Sequence, residues 1–175
     1  MVRRLSRSYA EPNIDAIASY RRRLIKSIRT YYSRSHPKHS EFFAGLTPDE
    51  VSQHLHVDLT EIEHQVTLSL LGAFEARLRI DYAIRCEQRY RDSLSRAFRE
   101  LHKRHGLRVH LEEQIMATWE RVMPELKSEL QELRSAMKYR HWLAHGRYWL
   151  LKARVERFDF QYTYVLVSRM TSYLC

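Results

Sequence analysis

At 175 residues the chain fits a single domain, and with 44% hydrophobic and 29% charged residues it is expected to fold, which excludes disorder except at the ends. No apolar run approaches the roughly 20 residues that a membrane-crossing helix needs, so no membrane span is expected. A formal charge of +9 points to an acidic partner, and 24 of the 30 cationic residues are Arg, whose planar fork suits phosphate oxygens, although a genome rich in Arg codons would give the same bias.

Cys86 and Cys175 lack the spacing of a disulfide framework or a zinc knuckle, so a cytoplasmic protein is expected. Gly and Pro are sparse, with four of each, and apolar residues recur at helical spacing without long alternation. The fold class is therefore all-α.

The division expected is a flexible basic arm over 1–11, N-terminal helices over 12–58 and a core bundle over 59–175, all within one helical domain. The first helix should follow Pro12 and Asn13, with Ile14, Ile17, Leu24, Ile28, Tyr31 and Tyr32 on or near one face. Thr47-Pro48-Asp49-Glu50 is a helix start with a threonine cap, proline at the first position and a carboxylate at the third. A break is expected near Asp58, then a long core helix from about Thr60 whose stripe is Ile62, Val66, Leu70, Phe74, Leu78 and Ile84.

A further helix over "DSLSRAFRELHKRHG" should continue or kink from that one and end at Gly106. "LRVHLEEQIMATWERVM" restarts a helix, and Pro124 marks a kink or a new start. From Glu125 a core helix turns Leu126, Leu130, Leu133, Met137 and Leu143 inward and stops at Gly146. "RYWLLKARVERF" reads as a partly helical connection, and Asp159 caps a last helix.

The chemistry gathers at the end of the penultimate core helix, in "MKYRHWLAHGRYW" over 137–149. Arg140 and His145 project roughly 140° apart at 100° per residue, an offset that arginine's length can cover, whereas His141 and His145 stack on one face. Zinc hydrolysis would need Glu directly after the first histidine, where Trp142 stands. Cys86 has no signature of a nucleophile. Metal-free phosphodiester cleavage needs only what is present: imidazole to move protons near neutral pH, and guanidinium to stabilise charge on the phosphorus oxygens.

"RHWLAH" resembles the R-x4-6-H signature of HEPN domains (higher eukaryotes and prokaryotes nucleotide-binding), including the frequent polar residue after the arginine. "KYRHWLAHGRYW" and the upstream "FEARLRIDYAIR" look similar to bacterial members of the RiboL-PSP-HEPN type. The resemblance implies an up-and-down helical bundle that forms a homodimer and brings two motifs into one composite cleft. It implies a metal-independent endoribonuclease that leaves a cyclic phosphate, needs no cofactor or metal and serves as a toxin or phage-defence effector.

Carried over by position, Arg140 and His145 are the catalytic pair and His141 the accessory polar residue. Glu75 supports them from an earlier core helix, with Asp81 next in line. Arg147, Tyr148, Lys138 and Arg79 are expected to contact the RNA. An antitoxin or other regulatory protein is the further partner implied. Some such nucleases are silenced by modification of a tyrosine two positions after the motif histidine; here that position is Arg147, and Tyr148 follows it.

Blander readings stand beside these. Arg140 and His145 are also what a helix C-terminus favours electrostatically, and Glu75 is an ordinary partner for Arg79 four residues on. Trp142 and Trp149 suit a core or a dimer interface, while "YRRRLIK" is a solvated face or a widening of the RNA footprint. The alternative function is a non-catalytic helical module binding nucleic acid or nucleotide, and a third is a structural subunit assembled through the last helix.

Overall fold

The computed structural model describes residues 10–151, 155 and 158–175. Most of the expected basic arm, and residues 152–154, 156 and 157 of the connection after Trp149, lie outside the described residues. Those described form an all-α structure of seven α-helices without strands.

α1 (Ile14–Tyr31) starts at Asn13, whose side chain accepts the N–H groups of Asp15 and Ala16. Its apolar residues turn to the core at the N-terminal end, where Ile14 and Ile17 are buried. A short α2 (His39–Phe42) follows. α3 (Pro48–Gln88) opens with a full capping box: Glu50 N–H bonds Thr47 Oγ1 while the Glu50 carboxylate takes Thr47 N–H.

The expected break near Asp58 is absent, and α3 runs unbroken for 41 residues, about 60 Å. The Asp58 carboxylate accepts the Oη–H of Tyr32 (2.7 Å), the residue that caps the C-terminus of α1. Thr60 bonds its hydroxyl back to the His56 carbonyl (2.9 Å), as mid-helix threonines do, and caps nothing. The boundary drawn between 58 and 59 therefore falls inside one helix.

α3 and α4 (Ser93–His105) are neither continuous nor kinked. Arg89 adopts the left-handed conformation (φ 54°, ψ 40°) that ends α3, and Asp92 caps α4 through Ser95 N–H. Gly106 has φ 62° and ψ −134°, a pairing that side chains strongly disfavour, and its carbonyl accepts Tyr82 Oη at 2.7 Å. The next helix begins as a π-helical turn over Leu111–Met116, four residues later than the expected restart, and continues as α5 (Ala117–Val122). After a 3₁₀ turn at Pro124, α6 (Lys127–Ala144) and the Asp159-capped α7 (Phe160–Thr171) complete the fold.

α3 is the hub, packing against α1, α4, α6, α7 and the π turn. Arg21–Glu63 and Tyr32–Asp58 fix α1 antiparallel to α3, and Glu75–Arg140 with Glu61–Arg147 do the same for α6. Phe74, Leu78, Tyr82, Phe98, Ile115, Trp119, Leu130 and Leu133 meet in a continuous buried core. That packing fixes the tip of α6 against the middle of α3. No helix among the described residues is long and apolar enough to cross a membrane.

Candidate functional site at the end of α6

Burial of Leu130, Leu133, Met137 and Leu143 sets the rotation of α6. Lys138 and His141 are thereby left exposed and Arg140 half-buried. The helix stops at Ala144; Gly146 (φ 81°) and Arg147 (φ 57°) reverse the chain, and Arg147 N–H returns to the Trp142 carbonyl at 3.2 Å. Trp142 Nε1 then donates to the Trp149 carbonyl (2.8 Å), closing the loop over the helix end.

A cleft of about 680 Å³ opens beside this end, with Lys138, Arg140, His141 and Trp149 on one side and Glu75, His110, Glu112 and Glu113 among the residues completing its lining. Glu75 is shared: its Oε2 lies 3.5 Å from Arg140 Nη2, and its Oε1 accepts Arg79 Nε at 3.0 Å. Arg79 also donates to the Val109 carbonyl (3.1 Å), tying α3 to the chain that enters the π turn. At 3.5 Å the Arg140 pair is an ion pair without a close hydrogen bond. The buried Arg140 Nε has no hydrogen-bond partner among the described residues, while the side chain as a whole is 36% exposed and lines the cleft.

The His141 and His145 rings lie against each other with centroids 4.1 Å apart and planes tilted by 46°, and Trp149 lies 5.7 Å from His141 on the cleft side. His145 is exposed at the C-cap and stands outside the cleft lining, reaching it through His141. Arg140, His141, Lys138 and Glu75 are thus brought together, with His145 at their edge. Tyr148 is 83% exposed and Leu150 97%, both projecting from the motif loop.

Two residues expected to contact RNA are engaged elsewhere. The Arg147 guanidinium donates to Glu61 Oε2 and reaches His64 Nδ1, each at 2.6 Å, because its left-handed backbone turns it toward α3. Arg79 is held by Glu75 and Val109. Asp81, the second candidate for a supporting carboxylate, is buried against Arg85 (2.9 Å) and accepts Cys175 N–H, and it does not line the cleft.

The Arg147 hydrogen bond holds the Glu61 carboxyl below its ordinary range. Burial, then the Arg147 charge, lowers His64. His64 also meets the Trp142 ring edge-on at 5.9 Å. An acceptor at Nδ1 requires that nitrogen to be unprotonated, so the geometry calls for neutral His64 with its proton on Nε2.

The sequence pattern alone does not single out His110, Glu112 and Glu113, which line the cleft. Acidic residues in the first turn of a helix read as ordinary dipole partners, and no periodicity links position 110 to position 140. Among the described residues, no group of three or more His, Cys, Asp or Glu side chains is arranged to hold a metal ion. The chain matches no family model, and no curated protein or solved structure matches it.

Proposed function

We propose that the chain is a metal-independent endoribonuclease of the HEPN type, acting as a homodimer in the cytoplasm as a toxin or phage-defence effector. The observation that carries this reading is the convergence of Arg140, His141 and His145 at one solvent-facing helix end. There Glu75 lies 3.5 Å from the Arg140 guanidinium, whose side chain is 36% exposed, and the His141 and His145 rings are 4.1 Å apart.

In the reaction, an imidazole takes the proton of the ribose 2′-hydroxyl, the 2′-oxygen bonds to phosphorus, and the bond to the 5′-oxygen breaks. A second imidazole returns a proton to that leaving oxygen. The products are a 2′,3′-cyclic phosphate and a 5′-hydroxyl, with no water consumed. Arg140 stabilises the charge that gathers on the phosphorus oxygens. Two-fold symmetry would double the imidazoles and guanidinium groups available to one linkage.

The dimer is supported by Tyr148 and Leu150, large side chains almost fully exposed beside the motif, where a second copy would cover them. Leu150→Asp is expected to shift the chain toward monomer in sedimentation and to lower cleavage in parallel. A monomeric variant with full activity would remove the composite site.

One observation favours the alternative, a non-catalytic module binding nucleic acid or nucleotide: His145 stands outside the cleft that Arg140 and His141 line. Incubating single-stranded RNA with the wild type, Arg140→Ala and His145→Ala separates the readings. Cleavage lost in both variants supports catalysis, while a wild type that binds RNA and yields no new ends supports the module.

A further inference from the structure

α1 carries a second basic surface, distinct from the cleft at α6. Arg22, Lys26 and Arg29 stand at i, i+4 and i+7, within about 60° of one another at 100° per residue, and all three are exposed. They line a groove of about 560 Å³ that ends at Ser33 and Ser35.

Arg21, at the edge of this groove, is spent on Glu63 through Nε (2.8 Å) and Nη2 (2.5 Å) and lies over the Phe160 ring. Arg22, Lys26 and Arg29 are in no ion pair among the described residues; Arg22 reaches only as far as Ser19 Oγ, at 3.0 Å. Like charges at these helical spacings repel, and the single carboxylate of α1, Asp15, stands seven residues before Arg22 and accepts Tyr164 Oη. A polyanion laid along the strip would offset that repulsion. Ser33 and Ser35 close the end of the strip, their hydroxyls hydrogen-bonded to each other at 2.8 Å, which leaves one hydroxyl hydrogen to donate.

The strip is also placed to serve the cleft. Glu63, which anchors Arg21, lies in the same turn of α3 as Glu61 and His64, which anchor the motif loop through Arg147. Glu75, which meets Arg140 in the cleft, is twelve residues from Glu63, about 18 Å along α3 at 1.5 Å per residue, and the strip runs on from the level of Glu63 toward Asp58. A strand leaving the cleft would follow about that length of α3 before meeting the strip.

We infer that the α1 groove is a phosphate-binding track that holds the backbone of the RNA strand flanking the linkage at α6. This rests on the reading of the chain as an RNA-binding protein, but not on its cutting RNA.

The test is fluorescence anisotropy of a labelled 20-nucleotide single-stranded RNA with the full chain and with the triple variant Arg22→Gln, Lys26→Gln, Arg29→Gln, titrated across salt concentrations. Removing three phosphate contacts should flatten the slope of log affinity against log salt by about 2 and weaken binding at least about tenfold at moderate salt. Thermal melts of the two proteins should coincide or favour the variant, which excludes misfolding. Arg140→Ala should abolish cleavage and flatten the salt slope by less than about 1, the share of one phosphate contact, against about 2 for the triple variant, so the two variants report separate claims. Unchanged affinity and slope in the triple variant would overturn the inference. So would a wild type that binds anionic phospholipid vesicles through this strip and RNA not at all.

Discussion

Glu75 on α3 lies 3.5 Å from the Arg140 guanidinium on α6 and 3.0 Å from that of Arg79 one turn further along its own helix. One carboxylate thus fixes the cleft-facing arginine to the most heavily packed helix of the fold. The i, i+4 partner and the cross-helix partner are held by its two oxygens, so the local ion pair and the site-building contact coexist.

Glu75→Gln should keep the shape of the cleft and lose the charge that orients Arg140. RNA cleavage is expected to fall by about tenfold to a hundredfold through kcat, with a small change in KM, because the guanidinium is misplaced when charge develops. The melting temperature should hardly move, since partly exposed pairs of this kind contribute about 1 kcal/mol or less. Steady-state kinetics with a short RNA, alongside a thermal melt, checks both halves. Full activity in the variant would make Glu75 a bystander.

Asp81 serves stability. It is 1% exposed, forms two 2.9 Å contacts with Arg85 and accepts the N–H of Cys175. Asp81→Ala leaves the Arg85 guanidinium the more distant Asp92 carboxylate (3.4 Å) and the Tyr173 carbonyl (3.0 Å), and is expected to cost about 3 kcal/mol, the lower end for breaking a buried pair. Urea unfolding should show this as a lower midpoint at constant slope. Cleavage per folded molecule should be unchanged.

His64 makes the tether of the motif loop sensitive to acid. Facing it are Arg147 from the loop, Glu61 and Glu63 from its own helix, and the Trp142 ring from α6. Burial and the Arg147 charge hold it below the ordinary value of 6.5, so below that pH the unfolded chain binds a proton that the folded imidazole resists. Its contribution is complete above pH 6.5 and drains away as pH falls through the lowered value. The Glu61 step, also lowered, comes later, below the ordinary carboxylate value of 4.5. Melts of the wild type should lose stability as pH falls below 6.5, and His64→Gln, whose amide oxygen can still accept from Arg147, should lose less. Identical pH profiles would remove His64 from the tether.

The elements legible in the sequence were those written in local chemistry. Thr47-Pro48-Asp49-Glu50, Asp159 and Gly146 mark helix ends through bonds within four residues, and each end lies where its cap stands. Asp58 misleads because its partner is Tyr32, 26 residues away, and a contact of that range leaves no periodic trace. The same holds for the site. The Arg140–His141–His145 cluster is contiguous and could be read directly, whereas His110, Glu112 and Glu113 join it through the π turn that Arg79 anchors at Val109. Arg147 reads as a phosphate ligand until its left-handed backbone directs it to Glu61.

The chemistry of the RNA ends tests the central claim most directly. Single-stranded RNA incubated with the purified chain in EDTA, then analysed by end-specific labelling and mass spectrometry, should carry 2′,3′-cyclic phosphates and 5′-hydroxyls. Ends bearing 3′-hydroxyl and 5′-phosphate, or cleavage that appears only when a divalent metal is added, would contradict a site built from imidazole and guanidinium alone.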